Sequence, residues 1–322
     1  MASEKGRTYV HINIFISGSA LASEALRMKV ATHCGYCLLH RGYREILRAT
    51  TDEGRRFEAV HQLLRLLGKR FGPDAVPSHL GSERDRLIRR ITGSPDPYAE
   101  MKKRADEKAV KMLPRLEALV GARPTAERLR EACKVATIGN IIEYDVPGHS
   151  HDIDDALAHV EAEGFYIDDT DAFRALLGPG VEVLLLADNA GEIAFDRLVV
   201  RELHALGCRV AVAVKGSPCL NDAVMGDAEA VGMVGEADEV ITTGADAIGV
   251  NLAEASEGFR DVLYSVDAVV AKGMANWETI TEFPAPCPTL FLFRTKCEPV
   301  AATVGAPLQR NIAKLVPRGW RL

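Results

Sequence analysis

From residue 181 onward the chain changes its hydrophobic period, and that change constrains the fold more than any other feature. Five apolar runs of strand length alternate with stretches of helical spacing: Val181–Ala187, Val210–Val214, Glu239–Thr242, Ala268–Ala271 and Thr289–Phe293. Strands that alternate with crossover helices build a parallel sheet. Residues 176–322 are therefore expected to form a Rossmann-like three-layer α/β/α domain with a mainly parallel sheet. In such sheets ligands bind outside the carboxyl ends of the strands. The polar residues directly after each run are the place to look for function.

The first run ends in Asp188-Asn189-Ala190-Gly191-Glu192, followed by a helical pattern through Ile193, Leu198, Val199, Leu203 and Leu206. Asp188 and Asn189 offer oxygen ligands to a hard cation, and the helix start behind them suits an anion. A lone Asp-Asn pair is more simply an Asx turn capping the helix. The same pattern recurs, however. Lys215-Gly216-Ser217-Pro218-Cys219-Leu220-Asn221-Asp222 follows the second run. Asp188, Asn189 and Asp222 together would make an oxygen site with open positions, suited to Mg²⁺ or Mn²⁺ and to metal-assisted hydrolysis. Lys272-Gly273-Met274-Ala275-Asn276-Trp277-Glu278 follows a later run. Lys272 offers a point charge to a phosphate, Gly273 permits close backbone approach, and Asn276 can donate a hydrogen bond. Arg294-Thr295-Lys296-Cys297 follows the last run. Lys296 is either a second phosphate contact or an exposed surface lysine.

Residues 28–175 read as a helical domain. Leu63, Leu64, Leu66 and Leu67 share one helix, and Leu87, Ile88 and Ile91 another. A longer helix spans Met101 to Leu119, which Pro114 should kink or split. Thr125 is a plausible N-cap for a helix through Leu129, Ala132, Val135 and Ile138. Short helices are expected from Asp152 to Glu163 and from Asp171 to Leu177. Near the start of this domain stands Cys34-Gly35-Tyr36-Cys37, with His33 and His40 beside it. A CxxC at a helix head is structural, zinc-binding or redox-active. No second CxxC exists, and Cys133, Cys208, Cys219, Cys287 and Cys297 are single. Residues 1–27 resemble a weak signal peptide interrupted by His11, Asn13, Ser17 and Gly18. We read them as a loose extension, or Met28 as the natural start.

Net charge is −6, which argues against nucleic acid as the main partner. The charge is uneven: residues 41–134 hold 22 Lys+Arg against 14 Asp+Glu, so the remainder carries −14. A basic region facing an acidic one would steer an anion towards a metal site, although solvated helix faces explain the pattern equally well. No apolar run of roughly 18 residues suggests a membrane helix. Seven scattered cysteines do not suggest a disulfide framework, and a reducing cytoplasm is expected. Neither G-x-G-x-x-G after a strand nor GxxxxGK[ST] is present, and G-x-S-x-G is missing too. Dinucleotide, P-loop and serine-hydrolase readings therefore lack their signatures. His149 and His151 flank Ser150 without an obvious partner.

Taken in order, the clusters resemble the DUF89 family of metal-dependent, damage-control phosphatases. The resemblance rests on Asp188-Asn189-Ala190-Gly191-Glu192, on Asn221-Asp222 with Asp227-Ala228 behind it, on Lys272-Gly273-x-x-Asn276-x-Glu278 and on Lys296-Cys297. Gly139-Asn140 and the CxxC look like the microbial and archaeal subgroup, with Glu143 standing where the family often has Asp. The resemblance implies that Asp188, Asn189 and Asp222 bind a divalent metal (Mg, Mn, Co or Ni). It also implies that Glu192, Lys272, Gly273, Asn276 and Lys296 surround the phosphate of a small phosphorylated metabolite. Two other functions compete: an S-adenosylmethionine-dependent carboxyl methyltransferase, and a non-catalytic metabolite-binding or zinc-binding protein. No glycine-rich loop of the usual cofactor-holding kind follows the first Rossmann strand.

Overall fold

The computed structural model describes residues 28–138 and 162–322. Residues 1–27, the Gly139-Asn140 element with Glu143, the pair His149 and His151, and most of the helix expected from Asp152 lie outside the described residues. Five helices come first: α1 (Thr32–Ala49), α2 (Glu53–Arg70), α3 (Pro77–Thr92), α4 (Ala99–Gly121) and α5 (Arg128–Ile138). The sheet-bearing part follows as β1 (Phe165–Asp168), α6 (Thr170–Arg174), β2 (Glu182–Leu186), α7 (Glu192–Ala205), β3 (Arg209–Val214), α8 (Met225–Ala230) and β4 (Glu239–Thr242). It continues with α9 (Glu257–Ser265), β5 (Ala268–Lys272), α10 (Gly273–Ile280), β6 (Thr289–Arg294), α11 (Glu298–Val304) and β7 (Asn311–Val316).

The seven strands run in the order β1-β7-β6-β5-β2-β3-β4. All neighbours are parallel except β6 and β7. Each of the five expected strands is present to within a residue or so of its expected ends. Two strands were not read from sequence. β1 lies before residue 175, so the sheet takes a strand from the region expected to be helical. β7 is the antiparallel partner of β6.

Period-two side-chain alternation explains the layering. Val183, Leu185, Val210, Val212, Val270 and Leu290 face one core, shared with Met112, Leu116, Ala132, Ile193 and Leu198 from α4, α5 and α7. Leu184, Leu186, Val269, Ala271, Phe291 and Phe293 face the other, shared with Phe259, Leu263, Trp277, Ile280 and Val300 from α9, α10 and α11. Both sheet faces are covered, as the continuous apolar runs require. A smaller cluster of Ile46, Ala59, Leu63 and Ile88 joins α1, α2 and α3. Helix α4 continues through Pro114 as one element, and α5 begins at Arg128, three residues beyond the expected cap at Thr125. None of the described helices is long and apolar enough to cross a membrane.

The strand order reverses beside β2. From β2 the chain moves outward to β3 and β4, then returns to place β5 on the other side of β2. This is the topological switch point at which an open sheet leaves a crevice. The loops after β2 and β5 flank it.

Two predictions follow from the packing. Trp277 is fully buried, stacks edge-on against Phe291 with ring centroids 4.9 Å apart, and donates its indole N–H to Thr303 Oγ1 at 3.0 Å. Trp277→Ala is expected to cost about 3–5 kcal/mol by urea denaturation, from the cavity it leaves. The second concerns pH. Burial pushes the Glu45 carboxyl up to about 8, with the Asp85 charge adding to the rise and Arg84 opposing it. Burial likewise pushes Asp106 up to about 7, with the Gly191 N–H opposing and the Asp227 charge adding. A carboxyl whose folded value exceeds its unfolded value binds more protons in the native state. Its stabilising contribution is complete below the ordinary carboxyl range near 4 and is lost as pH rises through the folded value. Denaturation midpoints of metal-free protein are therefore expected to fall from pH 5 to pH 8. Glu45→Gln should remove part of that slope.

Candidate active site

The site is assembled by two turns at the carboxyl ends of β2 and β3, joined through their backbones. Asn189 and Asp222 form an antiparallel bridge. The Ala190 N–H donates to Asn221 O at 2.9 Å, and the Ala223 N–H donates to Asp188 O at 2.8 Å. These bonds hold Asp188, Asn189 and Asp222 side by side, all three buried.

Their side chains form one polar network. Asn189 Nδ2 donates to Asp188 Oδ2 at 2.9 Å and to Glu192 Oε2 at 3.2 Å. Burial raises Asp188 well above the ordinary carboxylate range, and the charges of Glu192 and Asp222 raise it further. Burial also pushes Asp222 up to about 6 against the pull of Lys215, whose Nζ lies 3.4 Å from Asp222 Oδ2 and donates to Gly249 O. Buried carboxylates that repel one another favour a proton or a cation between them.

The strand across the switch point completes the site. Gly273, the first residue of α10, has φ +76°, and a Cβ there would lie 2.0 Å from Asp188 Oδ2. Only glycine lets the backbone come so close in that conformation. Asn276 donates from Nδ2 to Lys272 O at 2.7 Å, while its buried Oδ1 has no hydrogen-bond partner. Lys272 is fully buried. The structure places its ammonium 2.5 Å from Glu192 Oε1, 2.8 Å from Asp196 Oδ1 and 2.9 Å from Ala136 O. An ammonium has three donors, and three protein acceptors surround this one. Lys272 thus meets the site through Glu192 and Asn189. Lys296 is half-buried on the loop after β6, and its backbone N–H contacts Met274 Sδ at 3.3 Å, next to Gly273.

Oxygen donors suit a hard divalent cation. The residues fit one by two observations: mutually repelling buried carboxylates and a buried Asn276 Oδ1 with no hydrogen-bond partner. The set is two carboxylates and an amide. Among the described residues no group of three or more His, Cys, Asp or Glu side chains is placed to hold an ion. Cys34 and Cys37 belong to no such group either. Cys34 is buried, Cys37 is half-buried, and all seven cysteines are free thiols.

Four residues of the network escaped the sequence reading as functional: Lys215, Asp196, Asp106 and Asp85. Asp196 stands one helical turn after Glu192, a spacing that signals a shared partner. Lys215 closes β3 directly ahead of the Asp222 turn. Asp106 accepts from the Gly191 N–H at 2.6 Å, and Asp85 accepts from the Leu220 N–H at 3.3 Å. Those two lie far away in sequence and carry no local signal.

Comparison with known proteins identifies the family. A family model described as the damage-control phosphatase ARMT1-like domain matches residues 30–312. A damage-control phosphatase from Archaeoglobus fulgidus is 35% identical over 292 residues, covering 90% of this chain and all of that protein. Damage-control phosphatase PH1575 from Pyrococcus horikoshii is 29% identical over 281 residues, covering 87% of this chain and 96% of that protein. The crystal structure of PH1575, described as a DUF89 family protein, superposes with a TM-score of 0.80 at 27% identity, covering 91% of this chain and 100% of that one. A family match across so much of the chain, carried on the same fold, means that this protein belongs to the damage-control phosphatase ARMT1-like (DUF89) family.

Proposed function

We propose that the protein is a divalent-metal-dependent phosphatase acting on phosphate monoesters of small metabolites, sugar phosphates or damaged phosphometabolites among them. The observation that carries this reading is the joint burial of Asp188 and Asp222 at the switch point, with the Gly273 backbone pressed against Asp188. A divalent cation relieves the repulsion that this arrangement creates. The names of the Archaeoglobus and Pyrococcus relatives, both damage-control phosphatases, support the phosphatase reaction.

Asp188, Asn189 and Asp222 would hold Mg²⁺, Mn²⁺, Co²⁺ or Ni²⁺ through oxygen. When bound, the cation supplies Lewis-acid polarisation of a phosphoryl oxygen and a lowered pKa for water. The first N–H groups of α10 lack intrahelical partners and begin where Gly273 meets Asp188, so they are suited to receive phosphate oxygens. Lys296 supplies a cationic contact from the loop after β6. Glu192 fixes the Asn189 amide, and Lys272 fixes Glu192, so both set the ligand turn from behind. Asp188 is held by Asn189 and crowded by Gly273, which suits a ligand better than a nucleophile. Water is the expected attacking group, and a phospho-aspartate trapped by rapid quench would overturn that assignment. The methyltransferase reading gains no support from the geometry. The turn after β2, where its cofactor loop would lie, is filled by buried Asp188, Asn189 and Glu192. Free thiols throughout support a reducing, cytoplasmic setting.

The test is inorganic phosphate release from an aryl phosphate and a sugar-phosphate panel, with each of the four metals and with chelator. Turnover is expected to require metal. Asp188→Ala and Asp222→Asn should lose more than the roughly 10–100-fold that loss of an outer-shell partner costs. Gly273→Ala should match Asp188→Ala although it removes no functional group. Wild-type turnover in Gly273→Ala would take Asp188 out of the ligand set.

A further inference from the structure

We propose that Asp106 and Asp85, both from the helical part of the chain, are positioning residues, each clamping one of the two turns that present the metal ligands. The assignment of those ligands rests on the function proposed above; the clamping itself is read directly from the backbone contacts.

Asp106 lies on α4 and is buried. Its Oδ1 accepts the Gly191 N–H at 2.6 Å. Gly191 has φ +76°, and a Cβ there would meet Ala105 Cβ at 2.9 Å and the Ala105 backbone at 3.1 Å. Helix α4 therefore rests directly on the turn that runs from Asp188 to Glu192. The Asp227 carboxylate lies beside it, with its Oδ2 accepting the Val224 N–H at 2.8 Å. Lys102 steadies that pair, with Nζ 2.9 Å from Asp96 and 3.5 Å from Asp227.

Asp85 lies on α3 and is fully buried. Its Oδ1 accepts the Leu220 N–H at 3.3 Å, and its Oδ2 accepts from Arg89 Nε at 2.8 Å. Leu220 has φ +51°, a left-handed conformation that a branched residue keeps only when its surroundings enforce it. Asn221 and Asp222 follow at once. The two clamped turns are the same two that join through the Asn189–Asp222 bridge. One helical aspartate thus holds a backbone N–H close to each half of a single ligand set, just after Asn189 on one side and just before Asp222 on the other. Backbone N–H groups held by buried carboxylates resist displacement, because an orphaned partner on either side is costly.

The clamps predict effects confined to one turn each. Hydrogen exchange read by mass spectrometry should quicken at residues 188–192 in Asp106→Ala and at residues 219–222 in Asp85→Ala. Calorimetric titration with Mn²⁺ should show each variant binding about tenfold or more weakly than wild type, the range for loss of an outer-shell partner. Asp106→Asn keeps an oxygen acceptor at the same place and should recover most of the affinity. Leu263→Ala, a core change in α9, serves as the destabilised control and should leave Mn²⁺ affinity unchanged. Faster exchange spread evenly over the molecule, or wild-type Mn²⁺ affinity in both alanine variants, would overturn the proposal. A wild-type protein that takes up no metal would instead strike the metal assignment, and turn-specific exchange alone would then decide for or against the clamps.

Discussion

Two carboxylates that repel one another are held together in a buried place, and much of the structure serves to keep them there. Asp188 and Asp222 lie in the turns that follow adjacent parallel strands, and the backbone bridge between those turns leaves neither free to swing into solvent. Burial raises both towards protonation. A fold tolerates such a pair when something is gained from it, and strongly perturbed groups collect at functional sites for that reason. Here the pair stands where the sheet changes direction.

The switch point supplies the third wall. Strand β5 returns beside β2, so the turn after β5 meets the turn after β2 across the crevice. Gly273 is required by that meeting, because any side chain would occupy the Asp188 carboxylate. Lys272, which precedes Gly273, is fully buried. Its charge balances Glu192 and Asp196, two carboxylates one helical turn apart on α7. A fully buried ammonium needs such partners, since an unpaired one would lose its proton or leave the interior.

The helical part does more than cover the sheet. Helices α3 and α4 reach the site through Asp85 and Asp106, and each contact ends on a backbone N–H of a ligand turn. The buried group of Glu45, Arg84 and Asp85 extends this support back to α1. The conformation of the Asp188 and Asp222 turns is therefore a property of the whole molecule and not of the sheet alone.

The sequence by itself determined five of the sheet's seven strands, the polar turns that follow them and the family to which those turns belong. These features are local: apolar runs have a period, turns have a composition, and parallel strands put their turns at one end. It showed that Asp188, Asn189, Asp222 and Gly273 lie at strand ends. β1 was missed because a four-residue strand with alternate residues exposed carries little periodic signal, and β7 because Asn311 and Lys314 interrupt its apolar run. Tertiary structure alone decided that the switch point falls between β2 and β5, that Lys272 is enclosed by Glu192, Asp196 and Ala136, and that Asp85 and Asp106 accept the Leu220 and Gly191 N–H groups. Each of those depends on contacts between residues dozens of positions apart. A hydrogen bond from Gly191 to Asp106 leaves no trace in either neighbourhood of the chain, because it is made only once α4 has packed onto the sheet.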